Sequence, residues 1–165
     1  MSRQPVIDGF EFARAGSMLS GDWPVSDFPR LRDALHSDRG ALHYELHGVP
    51  EEQGRPALRL RLEGTLHLTC QRCLGTLDFP VRAEASLLLY ASEAEFGALP
   101  VEAAGPEHVI AGREMAVHDL IEDELLLSIP YAPRHEDCAS RAGAESAARQ
   151  KPFAGLRGLL GGKSH

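Results

Sequence analysis

Two short stretches of this 165-residue chain carry side chains able to grip a metal. "LHLTCQRCLGTLDF", residues 66–79, places Cys70 and Cys73 at Cys-x2-Cys spacing. Far downstream, "RHEDC" places His135 and Cys138 at the same spacing. Together they supply three thiols and one imidazole in two hooks. Tetrahedral zinc takes four such donors at about 2.0–2.3 Å, and a tight turn lets two thiolates face the same way. The set therefore predicts one structural Zn2+. A redox dithiol is the chemical alternative, but no βαβ pattern of the thioredoxin kind surrounds the pair. The plain alternative is that the cysteines are small turn residues and His135 is one of eight ordinary histidines.

Other candidates are weaker. His43, His47 and His67 share the polar faces of two expected strands, as a second metal site or simply as a wet sheet face. Asp119, Glu122, Asp123 and Glu124 resemble a carboxylate cluster, which would suit a metal-dependent RNA-processing enzyme. They sit in the first half of a predicted helix, where the macrodipole favours acids in any case, and no nucleophile accompanies them. The solvated face is the simpler reading. "GLLGGKS" imitates a phosphate loop, but Arg157 stands where the motif needs its first glycine.

The elements that must position these residues follow from periodicity. Leu58, Leu60, Leu62, Leu66 and Leu68 alternate with polar residues as in a half-buried strand, interrupted by Gly64, which reads as a bulge or bend. After "CQRCLG" the apolar parity moves to Leu77, Phe79, Val81, Ala83, Ala85, Leu87 and Leu89. Two alternating strands around a short connector make an antiparallel hairpin with Cys70 and Cys73 at its tip. "ALHYELHG" is a further strand, "EHVIAG" a short one, and 5–12 ("PVIDGFEF") another. "SDFPRLRDAL" reads as a helix opened by Ser26 or Asp27, with Pro29 in its first turn. "VHDLIEDELLLSI" is a second helix, with Val117, Leu120, Ile121 and Leu125 on its apolar stripe and Pro130 as its stop. Residues 92–107 read mostly as loop.

The expected architecture is α+β: an antiparallel sheet, curled toward a barrel, with two packed helices. One domain spans 1–138, followed by a flexible C-terminal tail: a flexible linker 139–151 and a short amphipathic basic segment 152–165. A chain of this length can bury roughly 68–70% of its unfolded surface, so its core does not depend on metal. No stretch approaches the roughly 18 apolar residues of a membrane span. The N-terminus lacks an apolar signal region, and the three cysteines are too few for a disulfide framework, so the expectation is a cytoplasmic protein with reduced thiols. Net charge is −7, which argues against coating nucleic acid by bulk electrostatics. The charge is uneven: from Arg149 onward there are four bases and no acid, against 13 bases and 24 acids before it.

"CQRCL" after a long alternating strand, "DLIEDELLLSIPYAPRHEDC" and "KPFAGLRGL", in that order, resemble the bacterial YceD family of large ribosomal RNA subunit accumulation proteins. The likeness runs over about residues 5 to 160. Cys70, Cys73, His135 and Cys138 match the family's Cys/His pattern, while Lys151 stands where the family pattern has asparagine. The resemblance implies a non-enzymatic role in the synthesis, processing or stability of 23S rRNA during 50S subunit biogenesis, with no catalytic residues. It also implies a gene neighbourhood shared with a large-subunit ribosomal protein. The expected partners are a ribosomal protein or assembly factor of the large subunit and a 23S rRNA precursor, with no membrane. Complementary charge between an acidic body and a basic ribosomal protein would speed their encounter. Arg72, Arg134, Lys151, Phe153 and Arg157 are the candidates for RNA or partner contact.

Overall fold

The computed structural model describes residues 5–96 and 105–138. Its frame is the expected hairpin: β5 (Arg55–Thr69) and β6 (Thr76–Tyr90) pair antiparallel along their full length, Thr69 opposite Thr76 and Leu58 opposite Leu87. β4 (Ala41–Glu52) lies on the other side of β5, and β2 (Met18–Pro24) on the far side of β4, both antiparallel. β7 (Glu107–Ile110) joins β6 in parallel, and β3 (Leu35–Ser37) pairs with the Cys-bearing end of β5. The six-stranded sheet is open and does not close into a barrel.

Alternation explains the two faces. Leu42, Tyr44 and Leu46 of β4, the even-numbered leucines of β5, and Val81, Leu87 and Leu89 of β6 are buried on one face. The other face carries His43, Glu45, Arg59, Arg61, Glu63, Arg82 and Glu84, with Arg61 and Glu84 paired across strands at 2.7 Å. The apolar face is covered by α1 (Gly9–Arg14), α3 (Val117–Ser128) and a pair of 3-10 turns at Val25–Asp27 and Pro29–Leu31. β1 (Val6–Ile7) and β8 (Met115–Ala116) form a separate two-stranded ribbon, and α2 (Glu93–Phe96) is a single turn after β6.

Several expectations are corrected. The strand expected over 5–12 is only β1; Asp8 then accepts a hydrogen bond from the Glu11 N–H and caps α1. Phe10 and Phe12 pack on the core from that helix, so their alternation was not a strand pattern. The helix expected in "SDFPRLRDAL" is replaced by the two 3-10 turns, which still bury Phe28 and Leu31 completely. The two packed helices are therefore α1 and α3. The expected stretch of loop at 92–107 contains α2 and the start of β7, and residues 97–104 lie outside the described residues.

Gly64 is no bulge. It pairs in register with Leu42 on one side and Val81 on the other. A Cβ there would come within 2.5 Å of the Leu42 side chain, so glycine is needed for close approach. Gly48 does the same for α1, since a Cβ would lie 2.1 Å from the Phe12 carbonyl oxygen.

Candidate metal centre

The hairpin connector turns in a way that presents both cysteines to one side. The Cys70 N–H donates to the Gly75 carbonyl at 2.9 Å and the Leu74 N–H to the Cys70 carbonyl at 2.9 Å. Leu74 takes φ +60°, an uncommon conformation for a leucine, and completes the tight loop. The second hook comes from α3. Its last turn closes with the Ile129 N–H on the Leu125 carbonyl, Pro130 stops the helix, and the chain runs back over the hairpin tip. There Pro133 is buried and its carbonyl accepts the Gln71 N–H at 2.8 Å, fastening one loop to the other.

This clasp brings the four expected donors together. The ligand atoms of Cys70, Cys73, His135 and Cys138 all lie within 4.8 Å of one another. Cys70 Sγ is 3.7 Å from Cys138 Sγ, and Cys73 Sγ is 3.5 Å from His135 Nδ1. Zinc bond lengths require tetrahedral edges of about 3.8 Å between two sulfurs and about 3.5 Å between sulfur and nitrogen. The observed spacings are close to those edges and well beyond a disulfide's roughly 2.05 Å. All three cysteines are free.

The imidazole is oriented for the task. His135 Nε2 lies 2.9 Å from the Thr76 carbonyl oxygen, which can only accept, so Nε2 carries the proton. Nδ1 is then left with its lone pair facing Cys73. A backbone carbonyl that fixes the tautomer in this way is the usual outer support of a metal-ligating histidine. The sulfurs are supported too. Burial pushes the Cys70 thiol up, but the backbone N–H groups of Cys73, His135 and Arg72, aided by the Cys73 thiol, outweigh it and bring the pKa down to about 5. Burial and then the neighbouring Cys70 sulfur push Cys138 up. The arrangement can hold a metal ion, and four protein donors form a closed set of the structural type.

The remaining candidates fare differently. Arg72 and Arg134 are exposed on the two clasped loops, and neither forms an ion pair among the described residues. Lys151, Phe153 and Arg157 lie outside the described residues. His43, His47 and His67 do not converge: His43 faces Asp22 at 3.1 Å, His47 faces Glu45 at 4.0 Å, and His67 faces Asp78 at 2.6 Å. Among the described residues only the Cys3His group has metal-site spacing. The acidic set on α3 divides. Glu122, expected on the solvated stripe, is buried; it accepts from the Arg30 backbone N–H at 2.7 Å and from Arg30 Nε at 2.6 Å. Asp123 takes Arg30 Nη1 at 2.6 Å.

Sequence reasoning passed over residues that anchor α3 and support the centre. His118 is buried, stacked on Phe28 at 4.9 Å and edge-on to Trp23 at 5.2 Å, and its Nε2 donates to the Asp27 carbonyl at 2.9 Å. With Arg30, it ties α3 to the 3-10 turns. Thr76 and Pro133 act through backbone carbonyls, for which side-chain identity gives no signal.

Comparison with curated proteins and with solved structures gave no match. A family model does match, over residues 58–160, and its description is large ribosomal RNA subunit accumulation protein YceD. That span starts in β5 and takes in the hairpin, α3 and all four donors. The match covers more than half of the chain, and the protein belongs to the YceD family.

Proposed function

We propose that the protein is a non-enzymatic binding factor that supports 23S rRNA synthesis, processing or stability during 50S subunit biogenesis, with one structural Zn2+ at its hairpin tip. Family membership carries this reading. The centre's donor set supports a structural ion, because four protein ligands leave no open position for a substrate. Two of the acids that would serve an RNA-processing enzyme are instead engaged by Arg30. Bound zinc would lock the loop after α3 to the tip and so fix the exposed Arg72 and Arg134 relative to each other. Those two arginines are the proposed contacts for a large-subunit ribosomal protein, assembly factor or 23S rRNA precursor.

Deleting the gene tests the reading. The expected result is less mature 23S rRNA and fewer 50S particles, with 16S rRNA spared. A normal ribosome profile with unchanged 23S rRNA would overturn it. Cleavage of rRNA precursors by the purified protein with Mg2+ or Mn2+, abolished by Asp123→Asn, would establish an enzyme instead.

A further inference from the structure

The outer face of α3 is open to solvent, although Asp123 binds Arg30 Nη1 and Asp119 lies 3.3 Å from His118 Nδ1. Asp119, Asp123, Leu126 and Leu127 recur at helical spacing on the side opposite buried Ile121 and Leu125. Leu127 is 69% exposed, and Tyr131, just past the helix, is fully exposed. Exposed apolar side chains grouped at one helix end offer anchoring points to a partner with apolar residues of its own. Its surroundings are negative. No lysine or arginine among the described residues pairs with Asp119, Glu124, Glu136 or Asp137. The last turn of α3 contains no base, so the negative end of its dipole is uncompensated as well. Along the helix itself, at Asp119 and Asp123, a phosphate backbone would be repelled. A basic segment with apolar anchors would fit.

The chain itself contains such a segment. From Arg149 to Lys163 it has four bases, no acid, and Phe153, Leu156, Leu159 and Leu160 as apolar side chains. We propose that residues 149–163 dock on the outer face of α3, with their leucines against Leu126, Leu127 and Tyr131 and their bases toward Asp119. Chain length permits it. The ten residues between Cys138 and Arg149 reach up to about 33–36 Å when extended. The helix they must lie along is about 18 Å long. Tethering also gives the segment a millimolar effective concentration, which a separate basic protein or a second copy must exceed. The inference goes beyond the role in 23S rRNA accumulation and does not depend on it.

The sequence provides a clean test. Lys151 and Lys163 are the only lysines, and both lie in the segment. Carbodiimide treatment of the dilute full-length protein, followed by peptide mapping, reports which carboxylates they reach. The expected links are intramolecular and concentrated on Asp119 and Asp123. Leu127→Glu combined with Tyr131→Ala should cut them about tenfold by removing the apolar anchors. Both positions are exposed, so the unfolding midpoint should stay put. Links spread evenly over α3 and the sheet-face acids Glu45, Glu63 and Glu84 would overturn the inference. So would links between two chains, links that survive the double substitution, or no links at all.

Discussion

The two ends of the β5–β6 hairpin are held together by different physics. In the body, Leu58, Leu60, Leu62 and Leu66 lie almost wholly buried between β4 and β6 and beneath the covering helices. At the tip, the buried residues of the two loops reduce to Cys70 and Pro133, while Gln71, Arg72 and Leu74 are exposed. The tip has a handful of backbone hydrogen bonds and four donor atoms within 4.8 Å of one another. The body is stabilised by burying apolar area; on the proposed zinc reading, the tip is a local structure whose order is linked to metal. The chain is large enough for the first to stand without the second.

The largest effect should come from the body. Leu62→Ala removes a fully buried side chain that faces Tyr44 and Ala83 across the sheet. Urea unfolding should show a loss of about 2–5 kcal/mol. Zinc stoichiometry of the folded variant should stay at one per chain. A loss of metal with little change in stability would reverse the assignment of the two regions.

The tip predicts a smaller and more local effect. Cys70→Ser with Cys73→Ser should abolish zinc binding and lower the thermal midpoint by about 2–8 °C. Amide exchange should quicken at Gln71 and Leu74, whose N–H bonds to Pro133 and Cys70 close the clasp, and stay slow at Leu60 and Leu62. Global unfolding of this variant would show that the tip supports the core, as in a small zinc finger, and would erase the contrast.

The contrast also marks what could be read from the sequence. The hairpin and the donor set were legible because both obey local rules: period-two alternation for the strands and two-residue spacing for each hook. The meeting of the hooks was only inferable, since it depends on α3 ending where the chain can turn back over the tip. The region before β4 was misread. "PVIDGFEF" alternates well enough to pass for a strand, but the Asp8 cap and the tight contact at Gly48 make it a helix. "SDFPRLRDAL" has helix signals, yet its apolar residues are spent on short turns between strands. Glu122 looked solvated because nothing in its own neighbourhood names Arg30, which lies 92 positions earlier. Tertiary partners of this kind leave no periodic trace.

The smallest prediction concerns α3, which joins the body to the tip. Burial, and then the negative charge of Glu107, hold the pKa of Glu124 above its ordinary 4.5. The folded protein thus binds the Glu124 proton more tightly than the unfolded chain does. Stability from this group is complete below the ordinary value and is lost as pH rises through the raised one, so at neutral pH the ionised carboxylate works against folding. Glu124→Gln keeps the shape and removes the charge. Its thermal midpoint should exceed the parent's by about 1–2 °C at pH 7, with the gain shrinking toward nothing near pH 4, where the parent is protonated as well. Because Glu124 is on the body's side of Pro130, zinc binding should not change. A midpoint that falls at pH 7 would mean that Glu124 has a cationic partner, and the basic segment beyond Arg149 would be the first place to look for it.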